Sequence, residues 1–295
     1  ASASRSTPST SNTAQLAQKP TEPLSSAPAP ANQPQKEPEQ VSEKAKQAPA
    51  APAEPVNSKP APKKPSAVKG KSSANWSYSG KTGPAYWADL SPDYATCATG
   101  LNQSPINITN TIHAALKPIR TLQKFPAKEL INTGQTLQVN FKTGNMMVLD
   151  KTPFQLSQVH FHSPSENRID GKVYPLEAHF VHSDNEGNLA IIAVLFKEGE
   201  ANPALNQLWA QLPDEIGKPV LLKTRITPNN LMPTKQQYYR YSGSLETPPC
   251  TEGVRWILMK TPVEASKDQL KMFETAMQLP NNRPIQALNG RMVVE

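Results

Sequence analysis

The chain has 295 residues, with 31 Lys and Arg against 24 Asp and Glu and a formal net charge of +7. No apolar run approaches the ~20 residues that cross a bilayer, so no segment reads as a membrane-spanning helix. The basic surplus is uneven: residues 1–75 hold ten Lys/Arg against five Asp/Glu, and the rest hold 21 against 19, so charge says little about the folded part.

In chain order, residues 1–75 come first. They contain no Phe, Trp or Tyr, no Gly before Gly70, and 13 of the 31 prolines. Such a segment cannot bury enough apolar surface to offset its ordering entropy, and is expected to be a disordered Pro/Ala/Lys-rich linker. It reads as a spacer, or as a basic tail that contacts an anionic surface. Dispersed lysines with no aromatics between them argue against nucleic acid as a partner. No signal peptide precedes it, as in a mature secreted chain whose leader has been removed. From Trp76 to Glu295 the composition is that of one globular domain.

Within that domain, Leu137–Phe141 alternates apolar and polar and predicts a strand. Lys142-Thr143-Gly144-Asn145 then reads as a hairpin turn into a strand at 146–149. Further strands are expected at Phe154–His162, at Leu176–His182 after a turn at Asp170-Gly171-Lys172, at Leu189–Phe196 and at Val254–Met259. The last two are apolar enough to be buried on both faces. Helical periodicity appears at Asn202–Leu212 and Lys267–Met277. The fold class is mostly β (α+β): a large, mainly antiparallel sheet with short peripheral helices. There is no internal repeat and no glycine-rich phosphate loop.

Four of the five histidines fall between 160 and 182. In a strand, residues i and i+2 share a face, so His160 and His162 can converge, and a neighbouring strand can add His179. Three neutral imidazoles with one open position describe a catalytic zinc site, since structural sites are usually closed by four protein ligands. Gln158 and Glu177 lie two residues before His160 and His179 and can take the imidazoles' other N–H groups. His182 falls on the opposite face of its strand and is expected to be structural; His113 receives no role. His-x-His followed four residues on by Glu166 also matches the first metal motif of cupins, but the glycines of their second motif are missing around His179. Cys97 and Cys250 are either two buried thiols or the ends of a bridge worth roughly 5 kcal/mol in the chain-entropy model.

Several motifs together resemble the alpha-class carbonic anhydrases, especially bacterial secreted forms. They are Trp76-Ser-Tyr78, Asn102-Gln-Ser-Pro-Ile-Asn-Ile, Gln158-Val-His-Phe-His162, Ser165-Glu166, Leu176-Glu-Ala-His179-Phe-Val-His, Gly243-Ser-Leu-Glu-Thr-Pro-Pro-Cys250-Thr-Glu-Gly-Val-Arg-Trp256 and Asn281-Asn-Arg283-Pro. The resemblance implies a central, largely antiparallel ten-stranded twisted sheet and a zinc ion on His160, His162 and His179. It further implies reversible hydration of CO2 to bicarbonate and inhibition by sulfonamides or anions where the zinc's water is displaceable. Val181, Ile191, Leu245, Val254 and Trp256 match a CO2 pocket, and Cys97 and Cys250 match a bridged pair, which implies a secreted or periplasmic location. The oligomeric state is left open between monomer and dimer.

Two positions depart from the family. Glu246 stands where the family has a Thr that relays a hydrogen bond to the glutamate matched by Glu166. Glu246 can imitate that relay if protonated, bind the metal if ionised, or point out of the cleft and leave Thr247 as a partial substitute. Gln135 stands where fast members carry a shuttle histidine, leaving Tyr78, ordered water or buffer to move protons. The expected enzyme is therefore slower than its relatives, and the alternative is a catalytically impaired zinc-binding or adhesive module.

Overall fold

The structure is a computed structural model that describes residues 75–278 and 280–295. The linker expected at 1–75 lies outside the described residues except for its last residue. The strands are β1 (Asn107–Ile108), β2 (Arg120–Leu122), β3 (Ala127–Asn132), β4 (Leu137–Phe141), β5 (Met146–Leu149), β6 (Thr152–His162), β7 (Arg168–Ile169), β8 (Leu176–Ser183), β9 (Leu189–Glu198), β10 (Val220–Leu221), β11 (Tyr238–Ser244), β12 (Glu252–Met259) and β13 (Val263–Ala265). The α-helices are α1 (Trp87–Leu90), α2 (Thr96–Thr99), α3 (Pro203–Trp209) and α4 (Lys267–Met277). None of the described helices is long and apolar enough to cross a membrane.

Among the described residues, eleven strands form one sheet in the order β10-β3-β4-β6-β8-β9-β12-β11, with β2, β5 and β13 alongside this path; β1 and β7 make a small parallel pair. The count exceeds the expected ten because strands of two or three residues, such as β10, β2 and β13, extend the edges. The sheet is mainly antiparallel, but β9 runs parallel to both β12 and β13.

Period-two alternation divides the core between the two faces. On β9, Ala190, Ile192, Val194 and Phe196 join the larger cluster, with α3 and α4 packed over it through Leu205, Leu208, Trp209 and Phe273. Ile191, Ala193 and Leu195 join the second cluster, with Ile106, Tyr241, Val254 and Trp256. The apolar run in β9 is thus a strand covered on both sides. Helix α4 starts at Ser266, whose hydroxyl accepts from the N–H of Gln269 while the Gln269 side chain returns to the N–H of Ser266.

The expected hairpin at Lys142–Asn145 does not form. β4 and β5 do not pair with each other; both lie on β6, with Gln138 opposite His160 and Met146 opposite Gln155. The chain keeps its direction through 142–145 because Asn145 is tied on both sides. Its side-chain amide donates to the carbonyls of Phe125 and Lys142, and its own carbonyl accepts from Leu156. The hairpin is one step later, between β5 and β6. Its turn is Asp150-Lys151, both in the left-handed region at φ 51° and 70°.

Candidate metal centre

Alternation on two adjacent strands builds the centre. Val159 and Phe161 of β6 and Ala178 and Phe180 of β8 point into the larger core. Gln158, His160 and His162, and likewise Glu177 and His179, therefore share the other face. The register sets His160 opposite His179 and His162 opposite Glu177. Ring centroids are 4.9 Å apart for His160–His162, 5.2 Å for His160–His179 and 4.6 Å for His162–His179. His162 and His179 are buried and His160 is half-buried.

Each ring is held by the nitrogen that faces away from the centre. His160 Nδ1 donates to Gln158 Oε1 at 3.0 Å, His162 Nδ1 to the carbonyl of Asn281 at 2.6 Å, and His179 Nε2 to Glu177 Oε1 at 2.9 Å. These acceptors assign the tautomers and leave lone pairs on His160 Nε2, His162 Nε2 and His179 Nδ1. One nitrogen from each ring lies within 4.8 Å of the others. His162 Nε2 and His179 Nδ1 are buried without a hydrogen-bond partner, a state that a bound cation relieves. Burial, then the neighbouring imidazoles, hold His160 and His162 well below the ordinary histidine pKa, so both are neutral donors at neutral pH. Three imidazoles suit a zinc-type ion.

Glu177 is the hub of the supporting network. Besides His179 it accepts the N–H groups of Glu166 and Asn167, each at 2.8 Å, and the Asn167 side-chain amide at 2.7 Å. Glu166 Oε1 accepts the N–H of Arg283 at 2.7 Å, and its Oε2 stands 4.0 Å from His179 Nδ1.

Glu246 does not point out of the cleft. Its side chain is 4% exposed, and Oε2 sits 2.9 Å from His179 Nδ1. The turn between β11 and β12 aims it there: Leu245 N–H bonds the Thr251 carbonyl at 2.9 Å, and Cys250 N–H bonds the Thr247 carbonyl at 2.8 Å. Thr247 is half-buried in that turn. Burial pushes the Glu166 and Glu246 carboxyls well above the usual carboxylate range. The neighbouring Glu246 adds to this for Glu166, whereas for Glu246 the contact with Glu166 acts the other way and Glu177 adds to the rise.

The remaining candidates surround this group. The Tyr78 ring lies 6.4 Å from that of His162, and burial, then Glu166 and Glu246, push its phenol well above its ordinary pKa. Gln135 is half-buried, and its carbonyl accepts from the Asn281 side chain at 3.0 Å. Val181, Ile191, Leu245, Val254 and Trp256 all belong to the second apolar cluster, and the Trp256 ring is 5.0 Å from that of His179. Cys97 and Cys250 form a disulfide. His182 is buried on the core side and donates to the Phe180 carbonyl; His113 is exposed.

Sequence reasoning gave no role to Asn281, Asn167 or Arg283. Asn281 acts on His162 through a backbone carbonyl 119 residues away, and a carbonyl leaves no mark on residue identity. Asn281 and Arg283 entered only as part of the Asn281-Asn-Arg283-Pro motif, and Asn167 was marked only by its place next to Glu166.

Among known proteins, the model of the eukaryotic-type carbonic anhydrase family matches residues 82–295. A carbonic anhydrase of Pectobacterium atrosepticum is 47% identical over 222 residues, which cover 75% of this chain and 91% of that one. The solved alpha-carbonic anhydrase of Thermovibrio ammonificans, in complex with the inhibitor sulfanilamide, is 48% identical with a TM-score of 0.74, covering 76% of this chain and 100% of that one. The alpha-carbonic anhydrase of Photobacterium profundum is 44% identical with a TM-score of 0.72, covering 75% of this chain and 100% of that one.

Proposed function

The chain belongs to the eukaryotic-type, or alpha-class, carbonic anhydrase family, and from that premise we propose that it hydrates CO2 reversibly to bicarbonate and a proton, using zinc held by His160, His162 and His179. The observation that carries this reading is the convergence of three imidazole lone pairs, each fixed by a hydrogen bond on the far side of its ring. Zinc so bound acts as a Lewis acid that makes water nucleophilic near neutral pH, a property of carbonic anhydrases as a class and not a quantity drawn from this structure.

The chain's own residues do the rest. Gln158, Glu177 and the Asn281 carbonyl keep the three rings oriented and fix their tautomers. Val181, Ile191, Leu245, Val254 and Trp256 offer CO2 a dry wall beside His179. In the family a Thr hydroxyl at the place of Glu246 donates to the carboxylate matched by Glu166; here a second carboxyl stands in its place, and a carboxylate has no proton to donate. Gln135 does not titrate near neutral pH, and the Tyr78 phenol stays protonated. Proton export then falls to buffer and water, and turnover is reduced relative to the relatives.

The disulfide supports a secreted or periplasmic location. Residues 76–295 form the catalytic domain in this reading, and residues 1–75 a linker or basic contact to an anionic surface. A second reading, a zinc-binding or adhesive module with impaired catalysis, is favoured by the contact between Glu246 and His179.

Stopped-flow CO2 hydration by the zinc-loaded full chain, beside Glu246→Thr, tests the choice. The expected result is activity in the parent that a chelator abolishes and a faster Glu246→Thr. A silent parent with an active Glu246→Thr would favour the module. Silence in both would reject the enzyme reading. Sulfanilamide is expected to inhibit wherever an open metal position exists.

A further inference from the structure

We infer that Glu246 is a fourth protein ligand of the metal held by His160, His162 and His179, so that water and external anions must compete with a carboxylate for the position that a three-histidine site leaves open. This rests on the metal reading above. It concerns only the residue that this chain places against His179.

Three observations carry it. First, two acceptors face each other: His179 Nε2 donates to Glu177 at 2.9 Å, so Nδ1 bears a lone pair, and Glu246 Oε2 stands 2.9 Å from it. Two lone pairs at that distance repel unless a cation or a proton lies between them. Second, His162 Nε2, His179 Nδ1, Glu166 Oε2 and Glu246 Oε1 are all buried without a hydrogen-bond partner. One ligand atom from each of these four residues lies within 4.8 Å of the others. Buried acceptors that converge without a donor describe a cation site better than a hydrogen-bond network. Third, the carboxylate is held in place. The Ser244 carbonyl before it accepts the Trp256 indole N–H at 3.0 Å, the Leu245–Thr251 bond closes its turn, and Cys250 four residues on is bridged to Cys97.

Glu166 does not compete for this role. Its Oε1 is engaged by the Arg283 N–H, and its Oε2 remains 4.0 Å from His179 Nδ1. Carboxylate oxygen is an ordinary zinc ligand, and three imidazoles with one carboxylate complete the four-coordinate set typical of closed sites. The substitution of the family's Thr by Glu246 then does more than slow a relay. It converts an open metal position into one that is vacated only when the carboxylate swings away, giving tight metal retention and restrained access.

The test uses the full chain as the parent, with Glu246→Gln and Glu246→Thr. Zinc affinity is measured by competition with a chromophoric chelator. Losing a contact to a ligand's far side weakens metal binding about 10–100-fold, so losing a direct ligand should weaken it at least about 100-fold in both variants. The cobalt-loaded proteins are then titrated with azide, read by visible absorption. A carboxylate that holds the position about nine-tenths of the time raises the apparent azide Kd about ten-fold in the parent relative to Glu246→Thr. Equal zinc affinities and equal azide binding would overturn the fourth ligand and leave the three-histidine site standing, with a proton between Glu246 and His179 as the remaining account. Failure of all three folded proteins to bind zinc would remove both readings. If the variants do not fold, the parent alone decides. An azide-resistant cobalt spectrum supports the inference, and a full response at low millimolar azide rejects it.

Discussion

Glu177 shows how one side chain sets the chemistry of another. Its two oxygens accept four donors, one of them His179 Nε2, so the imidazole it holds cannot rotate or change tautomer without breaking a buried network. Glu177→Gln is expected to weaken zinc binding by about 10–100-fold while the protein stays folded, measurable by chelator competition. His182 makes a separate prediction. Burial brings its pKa down to about 4 from an ordinary 6.5, against hydrogen bonds to the Phe180 and Ala190 backbone that act the other way. A depressed value means that the folded state favours the neutral ring. Its contribution is complete above pH 6.5 and is lost as pH falls towards 4. The metal-free parent should therefore lose up to about 3 kcal/mol more than His182→Gln between pH 7 and pH 4 in urea unfolding. Equal acid losses in the two proteins would show that His182 is not buried neutral. At this scale the sequence was informative where geometry is local: i, i+2 spacing alone put His160 with His162 and Gln158 with His160. It was silent on the direction of Glu246, because a turn admits more than one orientation and hydrogen bonds to Thr251 and Thr247 decide between them.

At the level of elements, β6 explains both a success and a failure of sequence reasoning. Its apolar residues recur two apart on each side of a bulge between Leu156 and Gln158, and it carries β8 on one edge and both β4 and β5 on the other. The chain between β4 and β5 has the composition of a hairpin, yet the side chain of Asn145 holds it straight. The turn that does reverse the chain uses Asp150 and Lys151, and without Gly it gave no signal. Lys151 accepts a left-handed φ of 70°, a conformation that costs a residue with a Cβ roughly 1 kcal/mol or more. Lys151→Gly should therefore raise stability by up to about 1 kcal/mol, after the added entropy of the unfolded chain is counted. An unchanged or lower melting temperature would mean that the turn is not strained. Strand β4 and helix α4 were legible because their apolar periods match burial, and β9 and β12 because each is an apolar run covered on both faces. The edge strands β2, β10 and β13, of two or three residues, have no period to read.

Across the whole molecule, distant parts of the chain meet around the centre. The Arg283 guanidinium bonds Gln103 Oε1 at 2.9 Å and the carbonyls of Ser104 and Cys97 at 2.7 and 2.9 Å, while its backbone N–H holds Glu166. The Cys97–Cys250 bridge joins the same N-terminal region to the turn bearing Glu246. Replacing both cysteines by alanine should cost about 2–5 kcal/mol in denaturant unfolding, and it should also loosen zinc, because the Glu246 turn loses its anchor. A destabilised protein with unchanged zinc affinity would separate the bridge from the centre. The Asn281 carbonyl has a consequence in time as well as space. It lies 119 residues beyond the ring it orients, and at synthesis rates of about 5–20 residues per second that gap lasts about 6–24 s. For the last 102 residues of that gap, after His179 has been made, or about 5–20 s at the same rates, the nascent chain holds all three imidazoles but lacks the group that fixes one of them. The order of translation itself thus delays metal capture until the polypeptide is nearly whole.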